Sequence, residues 1–383
     1  MERTVAAGIM TALVGFTSSF AVVLAGLTAV GATPGQAASG LVAVCATQGL
    51  GMLWLTRRYR LPIALAWSTP GAALLASTGA VNGGWPAAVG AFVVTGGLIL
   101  LTGFWPRLGA LIAAIPTPIA QAMLAGVLLA LCVEPVRGLV ADPWLVAPIV
   151  LVWLVLVRLA PRFAVPAAFA VALAGIVVDL ARHGGFDGPL LPHLDLTTPE
   201  LTWQAVLSLA IPLYIVTMAS QNVPGVAVMS SFGYVVPWRA TMTVTGLGTV
   251  ASAVAGGHAV NLAAITAALT AGPEAHPDPG QRWRAARVAG WSYLVLAALA
   301  TALAGVAASA PAGVVGAVAG LALLGTLGSA LAGATAAVEG REAAVVTFVV
   351  AASGVTIAGI GAAFWALAAG LVVRAVTRRL VPA

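Results

Sequence analysis

The sequence predicts an all-α polytopic membrane protein with about fourteen transmembrane segments, arranged as two inverted seven-span repeats. Three observations predict this class. Of 383 residues, 61% are hydrophobic and 7% charged, with mean hydropathy +1.06, whereas a soluble domain carries about 25% charged residues. All 17 basic residues are arginine, and they gather in short loops as topology control requires. Two short apolar stretches, one in each half, are broken by polar and helix-disrupting residues. The formal charge of +6 is therefore a mark of membrane orientation and excludes a nucleic-acid partner.

Windows of about 20 apolar residues divide the chain in order. The first group is 8–28, 34–55, 62–79, 86–105, 116–133, 143–158 and 163–181. The second is 203–228, 237–255, 258–271, 285–307, 311–331, 343–357 and 359–377. The opening segment has Arg3 before an apolar run but no cleavage site before the next span, so it reads as a helix rather than a signal peptide. The longest polar stretch, 182–202, holds Asp187, Asp195, Pro192 and Pro199 and forms a periplasmic linker between repeat 1–181 and repeat 203–383. Thr198 is the expected N-cap of the next helix, with Pro199 at its first position. With both termini in the cytoplasm, only Arg137 and Arg182 fall outside, and 15 of the 17 arginines, Arg379 among them, fall inside. Membrane lipid is the expected surrounding partner. Cys45 and Cys132 lie in apolar runs as packing residues.

Seven spans per half is an odd number, so the halves must be inverted relative to each other. Weak internal similarity agrees. Pro34-Gly35-Gln36-Ala37 opens the second span as Pro237-Trp238-Arg239-Ala240 opens the ninth. Trp67-Ser68-Thr69-Pro70-Gly71-Ala72-Ala73 in the third span corresponds to His258-Ala259-Val260-Asn261-Leu262-Ala263-Ala264 in the tenth. The stretch Gly256–Ile265 reads as an extended segment that becomes a half-helix from Leu262 onward, a break tolerated only where it is buried in protein or lines a cavity.

Two half-helices entering from opposite sides would aim their N-termini at one another. Each offers unpaired N–H groups and about +0.5 charge, which suits an anion such as a carboxylate. Pro70 fits a first helical turn, and Ser68 and Thr69 could cap that helix or bind ligand. The candidate site is Ser68, Thr69, Pro70 and Gly71 from the third span with Asn261 and Leu262 from the tenth. Phe16, Ser18, Ser19 and Phe20 from the first span and Thr217, Gln221 and Asn222 from the eighth flank it. The serines and threonine also fit back-bonding to helix carbonyls, and the amides an interhelical clamp. All 11 acids fall in loops or at span ends, so a cationic substrate would meet no counter-ion at the midplane. His258 is the one histidine of four inside a span and is the candidate proton carrier; a structural, neutral imidazole is the other reading. The chain shows neither a metal-ligand set nor a nucleophile with its base, so no cofactor is called for and an enzyme is not expected.

Gly256–Ala268 and Thr217–Gly225 resemble signature stretches of the bacterial benzoate/proton symporter family. Arg341-Glu342-Ala343-Ala344, and Pro116–Ala120 with Met123–Gly126, are similar to further family segments. The resemblance implies uptake of benzoate, an aromatic carboxylate, together with protons across the bacterial cytoplasmic (inner) membrane. It also implies the fold of nucleobase and sulfate-type carriers, with spans 1–4 and 8–11 as a core domain and spans 5–7 and 12–14 as a gate domain. Substrate would then lie between spans 3 and 10, its phenyl ring against Phe16 or Phe20 and its carboxylate on the N–H groups of Thr69, Gly71 and Asn261. Nucleobase carriers place glutamates in spans 8 and 10, where this chain has Gln221, Asn222 and Asn261. A proton-coupled nucleobase or other organic-anion carrier and a passive anion channel are the alternatives, and a homodimer is left open.

Overall fold

The computed structural model describes residues 2–182, 188–311 and 313–378. The expected Arg379, along with His183 and Asp187 of the linker, lies outside these residues. The fold is mostly helical, and among the described residues eight helices are long and apolar enough to cross a membrane. This is a multi-pass membrane protein.

The chain begins with α1 (Glu2–Thr17) and α2 (Phe20–Ala29), separated by a break at Ser18 and Ser19. α3 (Pro34–Tyr59) starts at a capping box in which Thr33 and Gln36 satisfy one another's backbone donors. Next come a three-residue strand β1 (Leu65–Trp67), the half-helix α4 (Thr69–Thr78) and α5 (Gly84–Phe104). In the second half, the helix Trp238–Ala253 packs on α5 and α3, and the helix Trp283–Ala308 packs on α3 and α1. The helix Val314–Thr335 packs instead on Thr117–Cys132, which also receives Arg341–Ala352.

Small residues permit these close approaches, as expected where lipid offers no hydrophobic drive to helix association. A Cβ at Gly49 would lie 2.9 Å from the carbonyl of Gly290, and one at Gly290 would lie 3.1 Å from that of Gly49. A Cβ at Gly40 would overlap the backbone of Gly256, whose own φ of +91° favours glycine.

The two broken spans meet as a ribbon. β1 pairs antiparallel with β2 (Val260–Leu262), with Leu65 opposite Leu262, Ala66 opposite Asn261 and Trp67 opposite Val260. Backbone bonds from Ser68 N–H to the Ala259 carbonyl and from Ala263 N–H to the Ala64 carbonyl, both 2.9 Å, close its ends. A two-stranded ribbon inside a membrane protein leaves outer-edge N–H groups that hydrocarbon cannot satisfy. Side chains satisfy those of β2: Val260 N–H donates to Thr249 Oγ1 at 2.9 Å, and Leu262 N–H donates to Asn222 Oδ1 at 2.8 Å.

Two expectations need correction. The tenth span does not resume helix at Leu262, because Leu262 is held in the ribbon and Ala263 is tied to Ala64; helix returns only at Ala267–Ala271, five residues long. Thr198 and Pro199 do not start the eighth span either. Thr197 N–H bonds the Val254 carbonyl and Glu200 N–H bonds the Pro86 carbonyl, which holds this segment extended across two helix ends. The helix starts at Trp203 behind Thr202, whose hydroxyl accepts from Ala205 N–H.

The helical stretch Trp203–Ser231 carries π turns at Val206–Ala210 and Met218–Asn222. Each ends two residues before a proline, Pro212 and Pro224. Proline has no N–H and crowds the carbonyl four residues back, and the wider turn accommodates both effects. The second π turn directs Asn222 toward β2.

Candidate functional site

The geometry centres on Ser68, the N-cap of α4. Its Oγ accepts from Gly71 N–H at 3.1 Å and from the Thr217 hydroxyl at 2.8 Å. Its N–H goes to Ala259, and its carbonyl accepts from Ala72 N–H at 2.8 Å and lies 3.0 Å from His258 Nε2. Since a carbonyl only accepts, Nε2 carries a proton and donates. One residue thus ties α4 to the helical stretch Trp203–Ser231 through a hydroxyl and to the segment leading into β2 through backbone and imidazole.

In front of this junction is a cavity of about 40 Å³, lined among others by Ser18, Ser19, Thr69, Gln221, Thr266 and Tyr293. Ala66, Trp67 and Ala263–Ile265 complete the wall around the ends of the ribbon. Among the first-turn donors of α4, Pro70 has none, Gly71 is capped and Ala72 is internally bonded, which leaves Thr69 N–H beside the cavity. Across from it, the N–H groups of Ala264, Ile265 and Thr266 have no protein acceptor among the described residues. Among the described residues the cavity wall carries no carboxylate and no arginine, so its polarity comes from amide dipoles, hydroxyls and one carboxamide. Such a surface accepts an anion without a fixed counter-charge.

The wall's aromatic residues, Trp67 and Tyr293, belong to a chain of ring contacts that is edge-on except for the tilted Phe16–Phe20 pair. Tyr293 meets Trp67 at 6.2 Å between ring centroids, Trp67 meets Phe16 at 5.7 Å, Phe16 meets Phe20 at 5.1 Å and Phe20 meets Phe169 at 5.3 Å. Trp67 Nε1 donates to Ser19 Oγ at 2.7 Å, fixing the indole against the break between α1 and α2. A ring requires a cavity on the order of 150 Å³, so an aromatic ligand must widen this space or extend past Ile265, which is 68% exposed.

The description "Benzoate membrane transport protein" belongs to the BenE family model, which matches residues 2–376. The chain belongs to the BenE family. It is 41% identical over 369 residues to the inner membrane protein YdcO of Escherichia coli (strain K12), covering 96% of this chain and 94% of that protein. It is 29% identical over 322 residues to the benzoate membrane transport protein of Acinetobacter baylyi, covering 83% and 81%. Among solved structures, the fold resembles the transmembrane domain of a cyanobacterial bicarbonate transporter, BicA, at TM-score 0.66 and 14% identity, with 97% of each chain covered. It also resembles the murine Slc26a9 anion transporter in its inward-facing state at TM-score 0.66 and 12% identity, covering 99% of this chain and 68% of that one. The BenE family is one of membrane transporters, not enzymes.

Within this BenE transporter the predicted residues fall into two layers. Ser18, Ser19, Thr69 and Gln221 line the cavity. Ser68, Pro70, Gly71, Thr217, Asn222, His258, Asn261 and Leu262 form the buried frame behind it. Asn261 Nδ2 donates to the Leu262 carbonyl at 2.8 Å, while its backbone lies in the ladder opposite Ala66. Bonds at 64–263 and 68–259 make 66–261 a hydrogen-bonded pair by parity. The N–H groups of Asn261 and Gly71 are therefore engaged within the protein and do not face the cavity. Phe16 and Phe20 are 1% exposed and stand behind Trp67. His258 Nδ1 and Asn261 Oδ1 are buried without a hydrogen-bond partner among the described residues.

Three wall residues escape sequence reasoning. Tyr293 sits in an apolar span of ordinary appearance, and only its being one of four tyrosines marks it. Gly15 is needed because a Cβ there would overlap the Tyr293 hydroxyl. Thr266 is the third surprise, reaching the wall because the half-helix starts one residue beyond it.

Proposed function

We propose that this BenE transporter carries a benzoate-like aromatic carboxylate into the cell with a proton, by alternating access of two inverted seven-span repeats in the inner membrane. The observation that carries the proposal is the pair of unbonded donor sets, Thr69 N–H and the 264–266 amides, facing one cavity that has no fixed charge. The carboxylate sits between them, with the Gln221 carboxamide and the Ser18 and Tyr293 hydroxyls at its side. The ring lies against Trp67 and Tyr293 and extends past Ile265. The names of the family and of the Acinetobacter relative support benzoate as the substrate class.

The packing pattern supports a core of spans 1–4 and 8–11 moving against a gate of spans 5–7 and 12–14. Where the two meet beyond the site, Phe20 of α2 packs on Phe169, with Ala172, Ile176 and Val318 around them leaving almost no space. Toward the arginine-rich face, a groove of about 480 Å³ lined by Arg3, Met10, Val14, Arg162, Leu269, Glu274 and others begins next to Gly15. A closed apolar side and an open basic side support release into the cytoplasm, where both termini lie. Arg162 at the groove's rim is paired with Glu274 at 3.8 Å, which leaves Arg3 to attract an organic anion by its field.

His258 is the proposed proton group. It acts through Ser68, whose carbonyl it holds, so a change in its protonation reaches the α4 N-terminus without direct contact with the substrate. The test is uptake of radiolabelled benzoate into proteoliposomes under an inward proton gradient. Gradient-driven accumulation with saturable counterflow is expected; uptake without counterflow indicates a channel, and absence of benzoate-dependent flux overturns the substrate assignment. Competition by uracil or sulfate in place of benzoate would move the assignment to the nucleobase or inorganic-anion class.

A further inference from the structure

From the packing of α1 against the helix Trp283–Ala308, we infer that the groove between them is a binding site for an anionic diacyl glycerophospholipid of the adjacent leaflet. The groove measures about 530 Å³ and is lined by Thr4, Val5, Trp283, Arg284, Arg287 and Trp291, with His276 and Val288 at its margins. It is separate from the transport cavity and on the outer side of the same two helices.

The sequence along one face of the helix has the order of a lipid. Arg284 and Arg287 come first, Trp291 follows at 56% exposure, and Val295 and Leu299 continue at 60% and 50%. These positions recur every three or four residues and so share one helix face. On α1, Val5 lines the groove, and Ile9 and Leu13 follow it at four-residue spacing on the same helix face, all exposed. The helices run parallel, since Gly8 abuts Ala285 and Val288 while Gly15 abuts Tyr293. The groove therefore has a cationic mouth and an aromatic collar, and beyond its lining the exposed aliphatic positions of both helices follow as a third level. A headgroup phosphate, the ester region and an acyl chain match those three levels.

The charge at the mouth is uncompensated. Neither Arg284 nor Arg287 forms an ion pair among the described residues; the guanidinium carbons of the two lie 5.7 and 6.0 Å from the Trp283 ring centroid. Topology control accounts for arginines near a membrane end, but it requires neither a groove nor two arginines braced on one indole. Arg162 provides the contrast, because it has Glu274 at 3.8 Å across the neighbouring groove. Guanidinium groups bind phosphate oxygens through paired N–H donors, and basic pockets between spans are a known basis of anionic-lipid recognition.

The lipid would bear on α1 and on the helix that supplies Tyr293, so it can influence the cavity through their shared packing. The experiment is native mass spectrometry of the detergent-purified full chain titrated with phosphatidylglycerol, cardiolipin or phosphatidylcholine. Retention of the anionic lipids over phosphatidylcholine is expected. Arg284→Gln and Arg287→Gln should each weaken retention roughly fivefold, and the double variant about 25-fold. Trp291→Ala should weaken it with the charges intact, and Arg374→Gln, at the far end of the chain, should leave it unchanged. Equal retention of phosphatidylcholine, an unaffected double variant, or full displacement by free glycerol phosphate would overturn the proposal. Because the readout is lipid retention, it stands or falls independently of the transported substrate.

Discussion

Removing the Ser68 hydroxyl tests the junction on which the candidate site depends. In Ser68→Ala, Gly71 N–H loses its cap, at a cost of about 1 kcal/mol. The Thr217 hydroxyl loses its acceptor; interhelical hydrogen bonds in membranes average about 0.6 kcal/mol. Thr217 does not bear a full desolvation penalty, because a helical threonine can turn its hydroxyl back to a carbonyl in the preceding turn. The total is about 1.6 kcal/mol, which the cap dominates. Unfolding in mixed micelles should show that loss, and a double-mutant cycle with Thr217→Val should show a coupling of about 0.6 kcal/mol. In transport, fraying of the first turn of α4 displaces Thr69 N–H, so the apparent KM for the carboxylate should rise about tenfold, equivalent to about 1.4 kcal/mol. Ser68→Thr, which keeps the oxygen, should retain most of the affinity. Additive single effects, or a Ser68→Ala protein with unchanged KM and stability, would refute the assigned role of Ser68.

Three further outcomes follow from the same geometry. Asn222→Ala leaves the buried Leu262 N–H without its acceptor and should destabilise the protein by about 1–3 kcal/mol, seen as a lowered melting point and reduced uptake. Gly15→Ala should abolish most uptake by displacing Tyr293; adding Tyr293→Phe removes the overlapping oxygen and leaves the next ring atom at 3.5 Å, so thermal stability should recover. Whether uptake recovers with it measures the contribution of the Tyr293 hydroxyl. His258→Gln should uncouple accumulation from the proton gradient while benzoate counterflow persists, and full proton-driven accumulation in this variant would make the imidazole structural.

Much of this molecule is written in one dimension. The low charge and long apolar windows made it a membrane protein, because hydrocarbon tolerates little else over a span. The polar interruptions at Trp67–Ala73 and Gly256–Ile265 marked the candidate site, since unpaired backbone at membrane depth needs a cavity or a partner. Chain order could not determine what each interrupted segment bonds to. Ladder pairing between residues almost two hundred positions apart engaged the N–H of Asn261, delayed the half-helix to Ala267 and left the amides of 264–266 free instead. Likewise, the motif at Phe16–Phe20 announced aromatic rings, while their packing behind Trp67 brought the indole and Tyr293 to the wall. Sequence alone thus determined the solvent the chain lives in and where its helices must break. Only tertiary structure decided which donors stay unpaired, because a hydrogen bond is set by distance in space.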